Sequence, residues 1–104
     1  MLRLNYGSDV AICWHENKVV VVGRERGCGL VVPGLLVSRL HCTIRLGQDG
    51  FTLLDHSSNG TYLTNEGAEE IVLQQSEAPL AAHGWVAFGL PRTEASEVLE
   101  FTGH

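Results

Sequence analysis

The chain has 104 residues, 44% hydrophobic and 18% charged, which suits one domain with a single core and excludes a disordered or fibrous chain. Its formal charge of −5 argues against a surface that gathers nucleic acid or anionic lipid. The charge is uneven, however. The stretch from Lys18 to Gln48 holds five bases against one acid, a net +4, and the remainder two bases against eleven acids, a net −9. A local anion site is therefore allowed within a protein that is acidic as a whole.

In chain order, short apolar or alternating runs are separated by Gly, Asn, Asp, Ser and Pro, the pattern of strands and turns. It predicts strands at Leu2 to Tyr6, Val10 to His15, Val19 to Gly23, Leu30 to Val32, His41 to Leu46, Phe51 to Asp55, Tyr62 to Thr64, Ile71 to Leu73, Trp85 to Gly89 and Val98 to Thr102. Gly47-Gln48-Asp49-Gly50 predicts the clearest hairpin, because Gly and Asp accept the positive φ of tight turns. Gln74 to Ala82 is the least strand-like stretch and is expected to be a loop. Helical periodicity is hard to find, so the expectation is an all-β, two-sheet antiparallel sandwich.

Cys13, Cys28 and Cys42 are odd in number and form no CxxC pair, which argues against a disulfide scaffold and predicts free thiols. The longest charge-free aliphatic run, Gly27 to Ser38, is too short to span a bilayer and contains Pro33 and Gly34. With no leader-like segment, the reading is a soluble, cytoplasmic protein.

Most polar residues of interest fall at strand ends or in loops. In order they are Gly23-Arg24, then Ser38-Arg39-Leu40-His41, then Ser57-Ser58-Asn59-Gly60-Thr61, followed by Gly84-Trp85 and the Val98 to Phe101 strand. Any one is weak, but the ordered GR, SRxH and SSNGT set resembles the forkhead-associated (FHA) domain over the whole chain. That resemblance implies an FHA/SMAD-like β-sandwich of about 11 strands over residues 1–104. It also implies a module that binds phosphothreonine peptides through loops at one end. Arg24, Ser38 and Ser58 would contact the phosphate, with Arg39 adding a contact. Asn59 would clamp the peptide main chain, and Gly23, His41, Gly60 and Thr61 would support the site. No cofactor, metal, nucleic acid or membrane partner is implied. The partner is a phosphothreonine-containing protein, and general similarity around Glu97 to Phe101 extends the resemblance to copies attached to larger signalling proteins, nucleotide cyclases among them.

The chemistry of the residues agrees. A phosphothreonine carries about −1.5 to −2 charges and three acceptor oxygens, so its receptor needs a fixed cation and converging donors. Arg24 offers a permanently charged fork, Ser38 and Ser58 compact hydroxyls, and Asn59 both a donor and an acceptor for a peptide backbone. The same residues are also ordinary turn formers, and Arg24 could be a solvated strand-end arginine. Leu35 and Leu36, in a loop beside Ser38, would either meet a residue C-terminal to the phosphothreonine or plug the sandwich end.

Two departures from the family pattern stand out. Asn65 is displaced by one position, which predicts a reshaped turn, and Gly84-Trp85 replaces a Gly-Asp pair. Other classes fit less well. No G-x-S-x-G elbow or P-loop is present, and although Cys13 and His15 share one strand face, the adjacent His41 and Cys42 point to opposite faces, against a four-ligand metal site. The remaining alternative is an interaction module on the same fold that ignores phosphate.

Overall fold

The computed structural model describes residues 1–103; His104, the last residue of the expected domain, lies outside them. Among the described residues there are eleven strands: β1 (Leu2–Tyr6), β2 (Asp9–Cys13), β3 (Val19–Gly23), β4 (Leu30–Val31), β5 (Cys42–Gly47), β6 (Gly50–Asp55), β7 (Thr61–Asn65), β8 (Ile71–Leu73), β9 (Glu77–Pro79), β10 (His83–Phe88) and β11 (Leu99–Gly103). A six-stranded sheet runs β2-β1-β11-β10-β7-β8 and a five-stranded sheet β4-β3-β5-β6-β9. All pairs are antiparallel except β3 with β4, where Val22 lies opposite Leu30 in parallel register. No helix of the described residues is long and apolar enough to cross a membrane.

The alternation visible in the sequence becomes the core. Leu2 and Leu4 of β1, Val20 and Val22 of β3, Ile44 of β5, Leu53 of β6, Leu63 of β7, Val86 of β10 and Leu99 and Phe101 of β11 are all buried between the sheets. Each such side chain contributes about 1.5–3 kcal/mol relative to exposure. Their neighbours along each strand, Arg3, Thr43, Arg45 and Glu100 among them, face outward or lie half-buried. Cys13 and Cys42 are buried, Cys28 is half-buried, and all three are free thiols.

Two sequence-based expectations change. The stretch expected to be a loop contains β9, whose residues pair with the free edge of β6, Ala78 opposite Leu53. Bonds from Asp55 N–H to Ser76 O (2.9 Å) and from Leu80 N–H to Phe51 O (2.9 Å) extend the pairing on both sides. Gly84, expected just before the strand that starts at Trp85, lies inside β10. A Cβ there would come 2.4 Å from the Thr64 carbonyl oxygen and 2.5 Å from the Phe101 ring, so glycine is required by close approach. The displaced Asn65 has a use: its Nδ2 donates to Pro79 O (3.2 Å) and its Oδ1 accepts from Ala81 N–H (2.8 Å), tying the end of β7 to the segment after β9.

The register places several strand ends together. Val22 pairs with Cys42, Cys42 with Asp55, and Phe88 with Thr61, so the loops after β3, before β5, between β6 and β7, and after β10 all leave from one end. Towards the other end, His83 at the start of β10 bonds Glu66 through Nδ1 and Glu100 through Nε2, the latter at 2.6 Å. The Glu100 bond first, then the Glu66 bond, raises the His83 pKa above 6.5. Because the folded value is the higher one, this stabilisation is complete below pH 6.5 and is lost as pH rises through the folded pKa. The melting temperature of the parent should therefore exceed that of His83→Gln most in mild acid, with the difference shrinking towards alkaline pH. Thermal melts across that range check it, and a difference that grew with pH would contradict the assignment.

Candidate functional site

The contact between β3 and β5 continues past the strands into the loops. His41 N–H donates to Val22 O (2.9 Å), Arg24 N–H to Ser38 O (3.1 Å) and Glu25 N–H to Arg39 O (3.2 Å). Gly23 makes this possible, since a Cβ there would sit 2.2 Å from the Arg39 carbonyl oxygen. The Cys28 thiol donates to that same carbonyl at 3.4 Å. Arg24 is exposed, but its Nε donates to Val37 O at 3.1 Å. The guanidinium is thus held by its inner edge, and neither Nη makes a hydrogen bond with the described residues. Arg39 is exposed, and its side chain likewise bonds none of them.

Behind these loops His41 is fully buried. Its Nδ1 accepts from Ser38 N–H (3.1 Å), which places the ring proton on Nε2, and Nε2–H donates to Gly60 O (2.9 Å). The ring meets Phe88 edge-on, with centroids 5.1 Å apart. Burial lowers the His41 pKa, against the opposing pull of the Gly60 carbonyl and Asp55, so the ring is neutral at neutral pH. Gly60 has φ +91°, a left-handed conformation that suits glycine, and its carbonyl also takes Gly89 N–H at 3.0 Å.

Asp55, at the end of β6, organises the loop that follows. Its Oδ1 accepts from Ser57 N–H (3.2 Å), Ser57 Oγ–H (2.5 Å) and Thr61 Oγ1–H (2.6 Å), and its Oδ2 from Gln75 N–H (2.9 Å). Burial alone would raise the Asp55 pKa, but the bonds from Ser57, Thr61 and Gln75 outweigh it and the pKa falls below the ordinary value. Ser57 Oγ in turn accepts Gly60 N–H at 2.8 Å. The loop is therefore shaped from inside, and Ser58 and Asn59 are left exposed at its tip. Ser58 N–H donates to Ser38 Oγ (3.1 Å), and Asn59 Nδ2 donates to Leu36 O (3.2 Å).

The structure gathers all nine residues singled out in the sequence at one end of the sandwich. Gly23, His41, Gly60 and Thr61 lie beneath, and Arg24, Ser38, Arg39, Ser58 and Asn59 face outward. Asp55, Ser57 and Gln75 were missed. Asp55-His56-Ser57 carries the signal of a side chain that bonds the backbone two residues on, whereas Gln75 is twenty positions away from Asp55 and carries none. Among the described residues no group of three or more His, Cys, Asp or Glu could hold a metal ion. The result is a cluster of cationic and hydroxyl donors around an anchored asparagine, a set that can bind an anion attached to an extended chain.

The family model for the FHA domain matches residues 20–78. The chain belongs to the FHA domain family. Solved FHA domains cover it almost end to end. The Rv1747 FHA-1 domain of Mycobacterium tuberculosis is 26% identical, with a TM-score of 0.70 over 99% of this chain and 96% of that one. The Mek1 FHA domain, solved with a Hop1 phosphothreonine peptide, is 25% identical, with a TM-score of 0.71 over the same shares of the two chains. The N-terminal FHA domain of Rad53p from Saccharomyces cerevisiae, also holding a phosphothreonine peptide, is 20% identical, with a TM-score of 0.76 over 100% and 94%. No curated protein matches the chain in sequence at a significant level.

In this FHA domain the braces and the exposed donors should separate in a stability experiment. His41→Ala strips the partner from the half-buried Ser38 N–H, removes the buried bond to Gly60 O and leaves a cavity, so it should cost upwards of about 1–3 kcal/mol in urea unfolding at neutral pH. Ser58→Ala, at the exposed tip, should stay within about 0.5 kcal/mol of the parent. Similar losses in the two variants would show that His41 is not the brace described.

Proposed function

We propose that residues 1–104 form one FHA domain that acts as a phosphothreonine-dependent binding module in cytoplasmic signalling, reading a phosphorylated protein segment with the loops at one end of the sandwich. The observation that carries this reading is the pre-set pair of Arg24 and Ser38. The Arg24 guanidinium is anchored through Nε to Val37 O, so its outer nitrogens can meet phosphate oxygens without reorganisation. Ser38 Oγ already accepts the Ser58 N–H, which leaves its own proton to be donated to a ligand. Ser58 and Arg39 add a hydroxyl and a second cation at the rim. Asn59, tethered to Leu36 O through Nδ2, keeps its Oδ1 for a ligand N–H. The phosphothreonine peptides held by the Mek1 and Rad53p domains support the same assignment here. The role is to bind, not to catalyse: the site offers donors and positive charge but no oriented nucleophile and base.

The flank of the ligand has its own surface. Leu35 and Leu36 are exposed and border a groove of about 390 Å³, with Tyr6, Phe88 and Leu90 beneath and Glu94 and Glu97 at the rim. Leu36 also carries the carbonyl that tethers Asn59, so the groove starts beside the peptide clamp. A segment leaving the phosphate in this direction would place an apolar side chain against the leucines and would be repelled if it were acidic.

Two outcomes follow. By calorimetry, affinity should fall in the order phosphothreonine, phosphoserine, then glutamate or plain threonine; the missing methyl costs about 0.8 kcal/mol, and glutamate lacks both charge and a third oxygen. Arg24→Ala should weaken the phosphothreonine peptide by about one to two decades, and Ser38→Ala by about 0.5–1.5 kcal/mol. Equal binding of phosphorylated and plain peptides would leave a phosphate-independent module as the better account. An oriented phosphothreonine library should select apolar residues C-terminal to the phosphate and reject acidic ones; an acidic preference, or none, would remove the groove from the reading.

A further inference from the structure

Gln75 is the only non-glycine residue with positive φ among the described residues, at +56°. It lies in the turn between β8 and β9, outside the loops that carry the phosphate-facing side chains. A left-handed conformation is strained for an ordinary side chain, and glycine would avoid that strain. The side chain kept at this position reaches into the site: Gln75 Nε2–H donates to Ser57 O at 3.0 Å, while its backbone N–H donates to Asp55 Oδ2 at 2.9 Å.

The carbonyl of Ser57 and the N–H of Ser58 belong to one planar peptide unit and point in opposite directions. Gln75 holds the carbonyl end, and Ser38 Oγ holds the N–H end at 3.1 Å. If this plane turned, Ser38 would lose the donor that commits its oxygen as an acceptor, and nothing would then reserve the hydroxyl proton for a ligand. Asp55 accepts from Ser57 and Thr61 and so shapes the loop, but a carboxylate has no proton for the plane's own carbonyl, which only a donor such as the Gln75 amide can hold. The carbonyl end of that unit therefore rests on one side chain from a distant turn.

We infer that Gln75 is a positioning residue for phosphate recognition: by fixing the Ser57–Ser58 peptide plane it reserves the Ser38 hydroxyl proton for the ligand. The inference rests on the phosphothreonine reading above and adds to it a residue that does not touch the ligand.

Three variants test this. Gln75→Gly keeps the bond to Asp55 and relaxes φ but removes the amide, and Gln75→Glu keeps the shape but replaces the donor with an oxygen. Both should weaken a phosphothreonine peptide by about threefold to tenfold, the range of one lost hydrogen bond, while the melting temperature of Gln75→Gly stays at or above that of the parent. In a Ser38→Ala background the further loss from Gln75→Gly should fall below twofold, because the two act through one hydroxyl. Without any ligand, the Ser58 amide should exchange with solvent at least tenfold faster in Gln75→Glu, with core amides unchanged. Unchanged Ser58 exchange overturns the brace whatever the parent binds. Unchanged affinity in the variants, or losses that add fully to Ser38→Ala, overturns the positioning role. A parent that does not distinguish the phosphorylated peptide from the plain one sinks the phosphate reading and this role with it, and the exchange result identifies that case as separate from a missing brace.

Discussion

The hydrogen bonds made by the neutral, buried imidazole of His41 hold the binding end of the sandwich together. The ring stands just before β5 in the five-stranded sheet and donates to Gly60, just before β7 in the six-stranded sheet. It also accepts the N–H of Ser38, the first residue of its own SRxH segment. One side chain thus joins the loop carrying Ser38 and Arg39 to the loop carrying Ser58 and Asn59. Its neutrality is part of the device: a protonated ring could not accept the Ser38 N–H, and burial keeps the proton off. Because the folded pKa is lowered, stability from this bridge is complete above pH 6.5 and declines as pH falls from there towards the folded value. Asp55, whose pKa is also lowered, adds a second loss in stronger acid as it is protonated.

Around that bridge the site is built by satisfying the backbone first and leaving side-chain donors over. Main-chain groups in the Arg24, Ser38 and Ser58 loops bond one another, and no buried side-chain nitrogen or oxygen among the described residues lacks a partner. The Arg24 guanidinium and the Asn59 amide are each secured by one bond to a carbonyl, which lowers the entropy a ligand would otherwise have to remove. Rigid loops on a rigid sandwich suit a module whose task is recognition.

The charge distribution complements this arrangement. Arg24, Arg26 and Arg39 are carried by two loops that are zipped together, whereas most carboxylates lie elsewhere on the chain. A phosphate on a protein segment meets a short-range positive field there, and the acidic remainder disfavours non-specific polyanions. Glu94 and Glu97, at the rim of the adjoining groove, carry the opposite sign close to the site, so charge there can discriminate between flanking sequences.

Local chemistry in the sequence determined much of this protein. Strict alternation set which faces of β1, β5 and β11 are buried, since a strand has a period of two and water selects against apolar exposure, whereas the four consecutive valines of β3 left its buried face to the tertiary structure. The Gly-Arg, Ser-Arg-x-His and Ser-Ser-Asn-Gly-Thr segments named the candidate site residues through their ordered resemblance to the FHA domain, and the donor chemistry of those residues agrees with it. Tertiary structure decided the rest. β9 was not legible: Glu77-Ala78-Pro79 has no strand pattern, and it pairs because β6 presents unbonded edge groups that must be satisfied. The glycine at position 84 is explained only by the Thr64 carbonyl and the Phe101 ring that pack against it. Gln75 is the sharpest case, since a glutamine in a turn has no signature and acquires its role only when folding returns the β8–β9 turn to the end of β6. Hydrogen bonds between residues far apart in the chain depend on an orientation that no local pattern encodes, and here such bonds set how the exposed donors are aimed.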